Sequence, residues 1–144
     1  PLYNEKLFYK YKFIKKKYKF KIHSVTCDFF MYEPFFKLKN IRKHTAIYKL
    51  KKIIYNGIKL GINIFVIPLV DRSSVKNYNQ LNEIVKFFNS QNFIKILKKK
   101  SKIVFETDFK PVKNLRFIKK LNKFLTNNGV FLYFFANRQA ICRL

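Results

Sequence analysis

The chain has 144 residues, of which 32 are Lys or Arg and 7 are Asp or Glu, giving a formal charge of +25. A hydrophobic fraction of 49% supplies one domain with a real core, which excludes a disordered polycation. The longest apolar run, residues 62–70, is too short to span a bilayer, and the charged amino end lacks a secretory pattern, so a cytoplasmic protein with no membrane partner is expected.

Leu7, Tyr11, Ile14 and Tyr18 recur at helical spacing among Lys15, Lys16 and Lys17, which predicts an amphipathic helix over residues 4–18. The run KIHSVTCDFF, residues 21–30, is β-branched, aromatic and largely apolar and reads as a strand. EPFFKLKN is a loop broken by Pro34. A second helix begins at Thr45, with Ile47, Leu50, Ile54 and Ile58 on one face and Gly61 placed to end it in a left-handed cap. INIFVIPLV follows, apolar throughout in the manner of a parallel strand covered on both sides, and Asp71, Arg72, Ser73 and Ser74 form the turn after it. Leu81, Ile84, Val85 and Phe88 mark a third helix, and QNFIKILKKKS adds a further helical turn or two. KIVFET is the third strand. Pro111 starts a helix continued by Leu115, Ile118, Leu121 and Leu125 and stopped at Asn127, Asn128 and Gly129, and VFLYFF is the fourth strand. Strict alternation with long crossovers predicts an α/β fold of parallel β-α units. It forms a single domain over residues 1–144, whose four strands make about half of an eight-stranded barrel or a small open sheet.

The scarce acids carry the functional signal. Asp28, Asp71, Glu106 and Asp108 each stand at or just past the end of a strand-like run, with Glu33 a few residues beyond the first. The carboxyl ends of strands are where an α/β barrel places its chemistry. His23 lies on the first predicted strand. Cys27 and Cys142 are far apart, without zinc-ligand spacing, and read as reduced thiols. The basic excess is almost all Lys; the arginines are only Arg42, Arg72, Arg116, Arg138 and Arg143. Guanidinium is the group that reads bases and grips phosphate in a fork. Its scarcity, beside abundant Lys, Asn, Ile, Phe and Tyr, points to AT-rich codon drift and a surface that binds polyanions non-specifically at low salt.

Four segments are similar to a known family. HSVTCDFFMYEPF resembles the third-strand region of sugar phosphate isomerase/epimerase proteins with the xylose isomerase-like TIM barrel, a family that includes endonuclease-IV-like barrels. NIFVIPLVDRSSV resembles the next strand, where V-D-x-S-S follows a Pro-containing apolar run. IVFETDFKP resembles the one after, where L-E-T-D-L-P-P is common, and GVFLYFFANRQA lines up with a strand ending Y-D-T-G-N. The likeness is collinear over nearly the whole chain. It implies the central portion of a barrel, with two strands before Pro1 and two after Leu144.

The resemblance also implies chemistry: isomerisation or epimerisation of a sugar or sugar phosphate by proton transfer beside a carbonyl, assisted by a divalent metal (Mg, Mn, Co or Zn). Glu106 matches the first metal ligand and is the candidate catalytic carboxylate; His23, Asp28, Asp71 and Asn137 are candidate substrate-binding residues. The second ligand, the Asp of Y-D-T-G-N, falls on Phe134, while Tyr133 and Asn137 are kept and Ala136 replaces Gly. The metal site in this chain is therefore incomplete, and whether it is an enzyme is left open. Two alternatives stand beside an isomerase-like domain: a non-catalytic remnant of the same fold, and a basic RNA-binding protein of an organellar ribosome whose Tyr and Phe stack on bases. Half a barrel also leaves two sheet edges unpaired, which predicts self-association.

Overall fold

The computed structural model describes residues 2–97, 101–108, 116, 117, 119 and 120, and the backbone of residues 131–136. Its first element is α1 (Glu5–Tyr18), capped by the Asn4 side chain, which accepts from the Leu7 N–H at 3.2 Å. The inward stripe is Phe8, Tyr11, Ile14 and Lys15, whereas Leu7 and Tyr18 are exposed. The predicted face is thus rotated by about one residue, because the Lys15 ammonium turns inward to donate to the Leu60 carbonyl at 2.6 Å.

Strand β1 is only Ser24–Thr26, shorter than the predicted residues 21–30. The cause lies in its neighbour β2 (Ile64–Leu69). The ladder between them runs through Ile64 N–H to the His23 carbonyl and Cys27 N–H to the Val66 carbonyl. Its next donor would be residue 68, which is Pro68 and has no N–H. The Cys27 carbonyl accepts instead from Phe30 N–H at 2.8 Å, and the chain turns into the short helix α2 (Phe29–Tyr32).

A 3₁₀ turn at Phe35–Lys37 occupies the predicted loop. Helix α3 (Asn40–Lys59) starts five residues ahead of the predicted Thr45, since its first turn carries little apolar periodicity, and Ile41 there is exposed. It ends where Gly61 adopts φ +81°, the left-handed stop expected of it. Asp71–Ser73 form a 3₁₀ turn, followed by α4 (Tyr78–Phe88), α5 (Gln91–Ile94) and β3 (Lys102–Thr107), the last with the predicted bounds. Strand β4 (Phe131–Ala136) is displaced by one residue from the predicted run. The helix predicted from Pro111 lies largely outside the described residues; Arg116, Phe117, Lys119 and Lys120 are helical.

The fold is mixed α/β. Every ladder is parallel and the strand order is β1-β2-β3-β4. The sheet never reverses direction, so right-handed crossovers place the intervening helices on one face. Packing agrees: Phe65, Ile67, Leu69, Ile103 and Phe105 share one buried core with Leu50 and Ile54 of α3 and Leu81, Ile84 and Phe88 of α4. The Phe105 ring meets Phe88 at 4.9 Å and Phe117 at 5.3 Å, edge to face. Gly57 lets α3 approach closely, since a Cβ there would stand 2.6 Å from the Phe65 ring. Among the described residues no helix is long and apolar enough to cross a membrane.

Candidate functional site

Parallel strands share one carboxyl end, and the candidate acids collect there. Two steps beyond the Thr26↔Val66 pair lie Asp28 and Pro68, and Pro68 pairs with Glu106. Asp71 lies two residues past Leu69, whose partner Thr107 precedes Asp108. The side chains differ in setting. Asp28 is exposed and makes no side-chain cap bond to α2, although it stands at the capping position. Asp71 is exposed, with φ +50°, a left-handed conformation that Asp tolerates better than most residues. Glu106 is half-buried on the face of the sheet opposite the helices, the face it shares with Val66, Pro68 and Val104.

His23 is elsewhere. It precedes β1 at the amino end of the sheet, exposed, with its carbonyl taken by Asn63 and Ile64 N–H groups. The structure does not bring it to the rim that holds Asp28, Asp71 and Glu106. Asn137 lies outside the described residues. Phe134 is in β4, paired with Phe105.

The acids divide into two groups by what they touch. Glu5, Glu33 and Glu83 each form an ion pair with a lysine of α3: Lys52 at 3.2 Å, Lys49 at 2.7 Å and Lys43 at 2.8 Å. Among the described residues Asp28, Asp71, Glu106 and Asp108 form none. Of the four, Asp108 feels a cation at a distance, that of Lys37, which follows Pro34 in the predicted loop. Its ammonium donates to the Arg72 carbonyl at 2.7 Å. Partial burial holds it below the usual lysine range, the charge of Lys76 adds to this, and the Asp108 carboxylate opposes it. The Arg72 guanidinium lies over the Tyr32 ring at 5.8 Å. The signal for Lys37 was present in the chain, a lysine just past Pro34 in the β1–α3 connection, but nothing local ties it to Arg72. Ser73 behaves as the turn residue expected, its hydroxyl donating to the Pro68 and Val70 carbonyls, each at 2.8 Å.

A hollow of about 200 Å³ lies beside β1, walled by Leu2, Tyr11, Val25, Cys27 and Ile53, and Asp28 touches it. Its wall is mainly apolar and it does not include Glu106 or Asp71. Cys27 is a free buried thiol; burial, reinforced by the Asp28 carboxylate, pushes it up to about 12.

Among the described residues no three His, Cys, Asp or Glu side chains come together as a metal-holding group. On the strand beside Glu106 the position of the expected second ligand is phenylalanine. One carboxylate does not hold a catalytic cation.

No family model, curated protein or solved structure matches this chain.

Proposed function

We propose that the chain is the central portion of a TIM-type barrel of the sugar phosphate isomerase/epimerase kind, and that its carboxyl-end rim handles a sugar or sugar phosphate. The partition of the acids carries this reading: among the described residues three are paired on the helix flank, and the four at the strand ends form no ion pair, in a chain rich in lysine. Surplus cations were available to neutralise them. The one-way parallel order, with helices on one face, supports the barrel, because a doubly wound sheet needs a reversal.

In this reading Asp28 and Asp71 accept hydrogen bonds from sugar hydroxyls. Glu106, half-buried and in no ion pair among the described residues, is the group able to take a proton from a carbon beside a carbonyl. Lys37, Arg72 and Lys76 supply positive charge near the same rim. No step is routed through a metal. A second reading, the fold kept without turnover, is supported by Phe134 beside Phe105.

The test is solvent exchange. The chain is incubated in D₂O with aldose and ketose phosphates, with and without Mn²⁺, and the proton signal beside the carbonyl is followed by NMR. The proposal predicts exchange that Glu106→Gln removes. Sugar-dependent shifts of rim resonances without exchange would select the second reading; neither effect would end both.

A further inference from the structure

On the helix layer many aromatic side chains point to solvent. On α1, Tyr9 is 62%, Phe13 64% and Tyr18 65% exposed; on α3, Tyr48 is 61% and Tyr55 46% exposed. Single exposed aromatics are ordinary. These are not scattered. Tyr9 and Phe13 are four residues apart on one ridge of α1, with Lys6, Lys10 and Lys17 along the same side. Tyr48, Lys52, Tyr55 and Lys59 follow spacings of four, three and four along one ridge of α3.

The two helices lie side by side. Lys15 bonds the Leu60 carbonyl at 2.6 Å, Lys52 pairs with Glu5 at 3.2 Å, and the Asn56 amide donates to the Leu2 carbonyl at 2.7 Å. At the carboxyl end of α1, Lys12, Lys15, Lys16, Lys19 and Phe20 line a shallow hollow. Glu5 is the sole acid within α1 and α3, and Lys52 neutralises it. Apart from that pair the charges on this face are lysines, with flat rings set between them. Lys59 already lies over the Tyr55 ring, 4.3 Å from its centroid.

We infer that the outer face of α1 and α3 binds single-stranded nucleic acid, with lysines neutralising phosphates and Tyr9, Phe13, Tyr48 and Tyr55 stacking on bases. The charge complementarity is direct, and stacking is open to any base because every base has a π-face. Neither helix carries an arginine in its aromatic ridge, so the binding is indifferent to sequence. An anionic membrane fits less well. A helix lying in a membrane interface segregates an apolar stripe from its lysines, whereas here rings and ammonium groups alternate along each ridge. The inference is independent of the sugar reading, whose residues stand at the strand ends.

The experiment measures fluorescence anisotropy of a labelled oligouridylate of about twenty nucleotides and of a duplex of equal length, at about 50 and about 150 mM salt. Two variants leave the charge unchanged, Tyr9→Ala with Phe13→Ala and Tyr48→Ala with Tyr55→Ala. Their side chains are exposed, and Ala favours the helix. Each pair is expected to weaken the single strand by about tenfold or more, with the salt slope unchanged and duplex binding little altered. Unchanged single-strand affinity in both variants would overturn the inference. So would equal binding of single strand and duplex that is gone at the higher salt. Loss of binding to phosphatidylserine vesicles in the variants, with oligouridylate affinity intact, would assign the face to a membrane instead.

Discussion

On the helix-covered face of the sheet, Phe65, Ile67, Leu69, Ile103 and Phe105 are fully buried. On the opposite face Ser24 and Thr26 are exposed, and Ile64, Val66 and Glu106 are half-buried. Parallel sheets are usually covered on both sides. Here the chain places its large rings where helices seal them; the opposite face is apolar and buried at its centre, at Pro68 and Val104, and carries Ser24, Thr26 and Glu106 where it is more accessible. The covered face determines stability, and the open face with its carboxyl-end rim is free to carry chemistry.

Truncation separates the two faces most widely. Phe105→Ala removes a ring packed against Phe88 and Phe117 and is expected to cost about 3–5 kcal/mol in urea unfolding. Thr26→Ala, on the open face, is expected to stay within about 0.5 kcal/mol. A comparable loss at both positions would erase the distinction. Adding volume probes the same seam from the other side. Gly57→Ala drives a methyl against the Phe65 ring and is expected to cost about 1–3 kcal/mol by the same measurement.

The Cys27 thiol, buried in the same core as the covered face, sharpens the comparison through pH. Its folded value is raised from 9.0 to about 12, so the unfolded chain loses the proton first as pH rises. The associated stability is complete below pH 9 and is lost above it. Between pH 8 and pH 10 the stability difference between the native chain and Cys27→Ala should shrink by about 1.4 kcal/mol. A difference independent of pH would show that the thiol is not held in a dry site.

The smallest effects come from the surface charges. Lys43→Ala breaks the pair with Glu83, which is partly exposed, and is expected to cost less than about 1 kcal/mol. Glu106→Gln is expected to change stability by less than about 0.5 kcal/mol while removing proton exchange on a sugar. A large destabilisation there would make Glu106 a structural residue.

The regular parts of this fold were legible where one signal acted alone. KIVFET could be bounded to the residue because its apolar run Ile103–Phe105 is flanked by polar residues on both sides. The α/β alternation and parallel order followed from crossover length. What escaped reading depended on a distant partner. Phe29 and Phe30 have strand propensity, but Pro68 on the neighbouring strand ends the ladder, and Phe30 packs instead against Phe35 at 5.6 Å. The α1 face was misjudged by one residue because a lysine, taken as solvated, turns inward to a carbonyl of the α3 terminus. Of the candidate site, strand-end position was enough to place Asp28, Asp71 and Glu106 at one rim. His23 was misplaced because the true strand begins after it, and Lys37 was missed because its contact with Arg72 spans two elements.

The central claim is that one rim of this sheet receives a sugar or sugar phosphate. Backbone amide NMR of the full chain, titrated with sugar phosphates, tests it residue by residue. The account predicts shifts concentrated at residues 26–28, 70–72 and 106–108. Shifts confined to the lysines of α1 and α3, or equal shifts with inorganic phosphate alone, would contradict it.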